Sequence, residues 1–276
     1  LGGRLGYMLL YNFDELVANP RSFLDVLGGG MSSHGGIAGM TIVAWIYARY
    51  TKTSWAGLGD NLVTVAPLGV FFGRLANFVN GELYGRRTDH ALAMKFPEEL
   101  HEVVKTPTGF EWMFPTAQLK ELAEKAGEAA PGLAAKVDSA ISMALASGHD
   151  AHRAVAGLIQ EASLESPAFR AMLGSILTPR HPSQLYEGLV EGLLLFGIML
   201  AVRLKWKNLY HGVLTGMFFI LYAIGRIGVE NLREPDSGHI GSLTKGQFYS
   251  TFMIVVGIAF LVYGFTRKRQ NRLPSA

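Results

Sequence analysis

The chain has 276 residues, 49% of them hydrophobic and only 17% charged, against roughly 25% charged in a typical soluble domain. It contains no cysteine, which excludes disulfides, thiolate metal sites and covalent catalysis through a cysteine of this chain. The net charge is +3, but the basic residues cluster at the ends of apolar runs. Membrane topology explains that distribution and nucleic-acid binding does not.

Residues 1–11 (LGGRLGYMLLY) read as the tail of a helix, and with Leu at position 1 further sequence is expected to precede them. Five full apolar spans follow, near 35–50, 62–82, 185–204, 212–232 and 248–266. Arg49 and Lys52 follow the first. Arg203, Lys205 and Lys207 lie between the third and fourth, and Arg267, Lys268, Arg269 and Arg272 follow the last; only Asp60 opposes them. Placing these clusters in the cytoplasm lets every span alternate without conflict. The C-terminus is then inside, while 12–33, 86–180 and 233–246 face outward. The expected fold is all-α, a polytopic membrane helix bundle with five full transmembrane helices and the tail of another. Thirty-three glycines suit close helix packing in a bilayer. Three parts are expected: 1–86 and 181–276 as the membrane domain, and 87–180 as a small helical extracytoplasmic insertion.

The outer loop before the first span ends in GGGMSSHGG (Gly28–Gly36). Ser32 or Ser33 can cap the helix, and the glycines permit unusual dihedrals and close approach to a ligand. His34, which can titrate near neutral pH, stands at the outer membrane boundary. It is a candidate catalytic group there, with simple packing as the alternative.

The second span contains Arg74 inside LVTVAPLGVFFGRLANFVNG, and the fourth contains Arg226 inside VLTGMFFILYAIGRIGVENL. A guanidinium in hydrocarbon costs roughly 2.5–3.5 kcal/mol on insertion scales, so it is kept where it lines a cavity or meets an anion. Neither has a carboxylate one turn before it, and both fall in the outer halves of their helices. Together they point to a site for a phosphate or carboxylate. The alternative is that each bonds backbone carbonyls or snorkels to the headgroups. Arg74 and Asn77 share a helix face at i, i+3; Gly81 and Gly85 then loosen the backbone, and Glu82 and Arg86 are spaced to pair. Arg226, Glu230 and Arg233 form an i, i+4, i+7 stripe, in which Glu230 can neutralise either arginine. Gln184, Glu187 and Glu191 form a similar stripe after His181-Pro182-Ser183, and the plainest reading of these glutamates is as anchors for an arginine.

In 87–180 acidic side chains outnumber basic ones and alanine is abundant. Leu133, Val137, Ile141 and Leu145 make one apolar stripe. Gly127, Pro131, Gly148 and Pro167 divide the segment into about three short helices, forming either a packed subdomain or a lid. The eight histidines show no HExxH spacing, and GxSxG and Walker patterns are missing. No metal and no cofactor are expected.

GRLANFVNGELYGR (Gly73–Arg86) resembles the signature of the bacterial prolipoprotein diacylglyceryl transferases, which runs close to GRxxNFxNGELxGR. GGMSSHGG (Gly29–Gly36), RHPSQLYE (Arg180–Glu187) and RIGVENLREPD (Arg226–Asp236) are similar to that family in the same order. Three features depart from it. Ala76 replaces a usual Gly, the 87–180 insertion is longer than the family pattern, and the family's first helix and most of its second are absent. An N-terminal Tyr implicated in the family's site goes with them. Five spans, a helix tail and one missing helix agree with the family's seven-helix topology.

The resemblance implies transfer of the sn-1,2-diacylglyceryl group from phosphatidylglycerol to the lipobox Cys thiol of a prolipoprotein, releasing glycerol 1-phosphate, in the bacterial cytoplasmic (inner) membrane. The partners implied are phosphatidylglycerol, the prolipoprotein signal peptide and the surrounding bilayer. It implies that Arg74 and Arg226 hold the phosphate and headgroup, with Asn77 and Gly85 at the substrate. Glu82, Glu230 and Arg233 would fix the arginines. His34 is the candidate base for the thiol, with a thiol pKa lowered by the arginine field alone as the alternative. A transporter or flippase for an anionic lipid or solute is the rival reading. It would also use buried arginines, but it predicts broken helices and access from both faces.

Overall fold

The computed structural model describes residues 1–25, 29–107, 109–206, 208–234, 239–241 and 243–269. In chain order the longer elements begin with α1 (Gly2–Tyr11), α2 (Phe13–Ala18), α3 (Ser33–Tyr50) and α4 (Trp55–Asn80). An antiparallel hairpin follows, β1 (Val103–Thr106) with β2 (Gly109–Trp112). Then come α5 (Thr116–Ala126), α6 (Leu133–Ser147), α7 (His152–Glu165) and α8 (Pro167–Ile176). The chain ends with α9 (Ser183–Lys205), α10 (Val213–Glu230), a short hairpin of β3 (His239–Ile240) and β4 (Leu243–Thr244), and α11 (Lys245–Arg267).

Among the described residues four helices, α4, α9, α10 and α11, are long and apolar enough to cross a membrane. They carry four of the five expected spans. The expected 35–50 span is helical within α3, an 18-residue helix that is not one of those four. Its first turn is Ser33, His34, Gly35 and Gly36, which leaves an apolar run short of the roughly 20 residues of a full crossing. The two hairpins correct the all-α expectation. In the first, Val, Thr, Phe and Trp favour the pleated surface, and Gly109 takes φ +143° at the turn.

The chain divides into two compact units. The first comprises Leu1–Leu68, Leu194–Ile224 and the residues from Tyr249 onward; the second comprises Gly69–Leu193 and Gly225–Phe248. In the first unit glycines bring α1 close against α3. A Cβ at Gly6 would stand 2.5 Å from Gly35 Cα, and one at Gly35 would stand 2.5 Å from Gly2 O. Such small-residue contacts let two backbones touch. Ser32 caps α3, accepting from the Gly35 N–H at 3.3 Å.

Asp60, expected in a loop, is instead fully buried within α4. It accepts hydrogen bonds from Gly212 N, Thr215 N and Thr215 Oγ1, each at 2.8 Å. Its charge therefore satisfies the orphan donors at the start of α10. Ile37, Val43 and Trp45 on α3, and Phe252, Val255 and Ile258 on α11, are exposed. Apolar surface of that extent calls for a nonaqueous neighbour.

In the second unit α5 to α8 enclose a core of Leu119, Val137, Val155, Ile159, Phe169 and Leu173. The segment has four helices where about three were expected. Gly127 and Gly148, both at positive φ, end α5 and α6, and Ser166 with Pro167 starts α8. Of the expected stripe, Leu133 and Val137 are buried and Ile141 packs on the core. Leu145, one turn later, is 75% exposed because α6 has run past its partners.

Candidate active site

Within the second unit the end of α4, the start of α9 and the end of α10 bring three arginines onto one carboxylate. Glu187 in α9 is 1% exposed. Its Oε2 lies 2.7 Å from Nε of Arg74 and its Oε1 lies 3.3 Å from Nη1 of Arg226. Arg233, just past α10, donates from Nη1 to Oε1 at 3.1 Å and to Oε2 at 3.3 Å. Arg226 also reaches Glu230, its i, i+4 neighbour, at 2.9 Å, and approaches Glu191 at 4.0 Å. Glu230 in turn accepts from Thr244 Oγ1 at 2.6 Å, and Thr244 caps the start of α11 through the Gln247 N–H.

The local backbone permits this convergence. Residues 188–194 of α9 are wound as a π-helix, a widening that recurs at functional sites. Gly192 in that stretch lies flat on α4, where a Cβ would be 2.7 Å from Phe71 Cα. One turn earlier, a Cβ at Gly188 would be 3.4 Å from Arg74 Cβ. Gly246 faces Glu230, where a Cβ would meet Oε1 at 2.6 Å. Side chains at these glycines would separate the helices that carry the cluster.

Arg74 and Arg226 share one acid, and Arg226 has a further one in Glu230, so the pair is not a bare dication. Arg74 and Asn77 do share a face, with Nη1 at 3.5 Å from Oδ1, the outer limit of a hydrogen bond. Asn77 donates to Glu82 Oε1 at 2.8 Å, and so does Asn80 at 3.2 Å. Glu82 and Arg86, expected to pair, make other contacts: Arg86 Nε donates to the Arg233 carbonyl at 2.9 Å.

Gly85, read as a substrate contact, has a packing reason for lacking a side chain. A Cβ there would lie 2.3 Å from Leu232 O and 2.8 Å from His181 Cβ. His34 stands in the first turn of α3, in the other unit, and its side chain lies outside the described residues. Among the described residues no cluster of three or more His, Asp or Glu is arranged to hold a metal ion.

The sequence reading did not single out Arg180. It is 2% exposed and meets three carboxylates: Glu99 (Nε 2.9 Å), Glu102 (Nη2 2.8 Å) and Glu234 (Nη1 3.3 Å). Its guanidinium also lies 4.8 Å from the centre of the Tyr84 ring. Burial works to lower the Arg180 pKa, but its hydrogen bond to Glu99 and the Glu102 and Glu99 charges outweigh it and raise it. Burial raises Glu102, with Arg180 opposing and Glu99 reinforcing. Burial and the Glu102 charge push the Tyr84 phenol far up. The available signal was a basic residue beside His-Pro in a segment that supplies Glu98, Glu99 and Glu102.

The features so far define a polytopic helical membrane protein with a buried arginine–carboxylate cluster. The prolipoprotein diacylglyceryl transferase family matches residues 1–263. The chain is 37% identical to the phosphatidylglycerol–prolipoprotein diacylglyceryl transferase of Bdellovibrio bacteriovorus, over 99% of this chain and 78% of that protein. The proteins of the same name from Psychrobacter arcticus and Shigella boydii are 33% and 32% identical, over 97% and 99% of this chain and 74% and 76% of theirs. The chain belongs to the prolipoprotein diacylglyceryl transferase family, and it is an enzyme.

Proposed function

We propose that this enzyme transfers the sn-1,2-diacylglyceryl group of phosphatidylglycerol to the lipobox cysteine of a prolipoprotein, the first step of lipoprotein maturation. Membership of the family supports the reaction. The observation that carries the site is the convergence of Arg74, Arg226 and Arg233 on Glu187. A carboxylate offers about four lone-pair sites, whereas each guanidinium has five N–H donors. Glu187 thus saturates before its partners do. Arg74 and Arg226, 19% and 14% exposed at the side chain, keep donors for a phosphate.

In the reaction the acceptor sulfur attacks the glyceryl carbon that bears the phosphate. The C–S bond forms, the C–O bond breaks, and its electron pair leaves on the phosphate oxygen of glycerol 1-phosphate. Negative charge grows on that oxygen, and guanidiniums already held in place stabilise it without reorganising. An ordinary thiol has a pKa near 8.5, so a base assists; His34 takes the proton in this reading. Glu187, Glu230 and Arg233 hold the two arginines in register, Glu82 orients Asn77, and Gly85 lets the surrounding segments close.

The positive-inside pattern supports a cytoplasmic C-terminus, an outward-facing 87–180 insertion and a site toward the outer leaflet of the inner membrane. The transporter reading gains no support from the comparisons, all of which name a transferase.

The test is transfer from labelled phosphatidylglycerol to a lipobox peptide by the purified protein in detergent or vesicles. Wild-type protein is expected to form the thioether lipid, and a peptide with Cys→Ser to form none. Arg74→Ala and Arg226→Ala are each expected to lower turnover about 100-fold or more. Transfer that persists without both arginines would overturn the site.

A further inference from the structure

We propose that Arg180 is a positioning residue for the arginine cluster, holding Arg233 on Glu187 from both sides; the inference rests on the transferase reading above. Three chain segments meet at this point. Arg180 and Met94 exchange backbone hydrogen bonds at 2.8 and 2.9 Å. The next residue, His181, accepts from Gly85 N at 2.8 Å and donates to Arg86 O at 3.0 Å. Arg86 N donates to Leu232 O at 3.0 Å, and Arg86 Nε to Arg233 O at 2.9 Å. The backbone on each side of Arg233 is therefore fixed by residues 85–86, which pair with the segment that carries Arg180.

The Arg180 side chain closes the other half of the clasp. Glu234 follows Arg233 directly, and its carboxylate returns to Arg180 Nη1 at 3.3 Å. Glu99, fully buried, takes Arg180 through Oε1 and the Thr178 N–H through Oε2 at 2.8 Å. Only a planar fork can serve three carboxylates in different directions while lying over an aromatic ring. Without it the 232–234 segment loses its outer anchor, and the Arg233 guanidinium loses its fixed place on Glu187. Among the described residues the Arg180 side chain makes its hydrogen bonds and ion pairs with Glu99, Glu102 and Glu234 and with none of Arg74, Arg226 and Glu187, so its influence is transmitted through position.

The test compares wild type, Arg180→Lys, Glu234→Gln and the double variant by transfer kinetics, with the folded amount of each quantified by thermal unfolding in detergent. Wild-type transfer is the control for the transferase reading; if it is missing, that reading fails irrespective of Arg180. With wild type active, Arg180→Lys is expected to lower kcat about tenfold or more per folded molecule, because misplacing a charge-stabilising group by an ångström is costly. KM for phosphatidylglycerol should change far less. Glu234→Gln, at a half-exposed position, is expected to fold normally and lower kcat about threefold, and the double variant to fall short of the product of the two. Unchanged kcat per folded molecule in Glu234→Gln and Arg180→Lys would overturn the proposal, as would effects that multiply independently. If Arg180→Lys does not fold, the kcat of Glu234→Gln alone decides.

Discussion

Glu187 binds Arg74 more closely than any other partner in the cluster, with 2.7 Å between Oε2 and Nε. The contact joins α4 to α9 at the point where the family signature and the polar stripe of the next span meet. Because the same carboxylate serves Arg226 and Arg233, its removal leaves three cations facing one another in a largely buried space. Breaking a buried ion pair from one side costs about 3–5 kcal/mol. Glu187→Ala is accordingly expected to lower the unfolding temperature in detergent sharply and to abolish transfer. A variant as stable as wild type would show that the arginines are held by other groups.

Gly85 offers a cleaner separation of packing from chemistry. A methyl group there must displace Leu232 O, 2.3 Å away, and His181 O, 2.9 Å away, and both are backbone atoms that cannot rotate aside. Gly85→Ala should therefore destabilise the enzyme and reduce transfer even though it adds no charge or polarity. Gly157 in α7 is the control, since nothing lies within 4 Å of its Cβ position. There Gly→Ala should be neutral or add up to about 1 kcal/mol of stability through helix propensity. Thermal unfolding of the two variants side by side checks both outcomes.

Much of the cluster could be read from spacing alone. Arg74, Arg226, Glu230 and the Gln184-Glu187-Glu191 stripe stand out because charge inside an apolar run has few explanations. The sharing of one acid by three arginines could not be read, because it depends on the path taken after α10. Arg233 returns to Glu187 only once 85–88, 179–181 and 232–233 are laced together. The hairpins were also hidden. A four-residue strand such as Val103–Thr106 carries too short a pattern to compete with the helical composition around it. Asp60 illustrates the remaining difficulty. Its charge reads as a loop residue until the N-terminus of α10 supplies three donors to it.

Glu102 gives a pH signature for the 87–180 segment. Its pKa is raised from the ordinary 4.5, with burial as the leading cause. The folded state therefore holds the proton more tightly than the unfolded one. Its contribution to stability is fully present below pH 4.5 and is lost as pH rises through the raised folded value. Glu102→Gln removes that dependence. The stability of wild type relative to Glu102→Gln should increase as pH is lowered toward 4.5 in thermal unfolding. A difference that is flat with pH, or of opposite slope, would contradict the assignment.

The glycine seam between α1 and α3 bears on His34 without involving its side chain. α3 begins at Ser33, and Gly35 touches α1 so closely that a Cβ would sit 2.5 Å from Gly2 O and 2.7 Å from Gly6 Cα. Helices held by small residues separate when a larger one is introduced, because the backbones can no longer approach. Gly6→Val should thus push α1 off the first turn of α3 and shift the residue beside Gly35, which is His34. If His34 acts as the base, transfer by Gly6→Val should fall about tenfold or more through kcat, since a displaced proton acceptor loses its geometry before its basicity. Raising the pH should restore part of the lost rate, because a thiol already ionised needs no acceptor. A loss of rate that pH leaves untouched would show that the seam serves packing and that His34 does not take the proton.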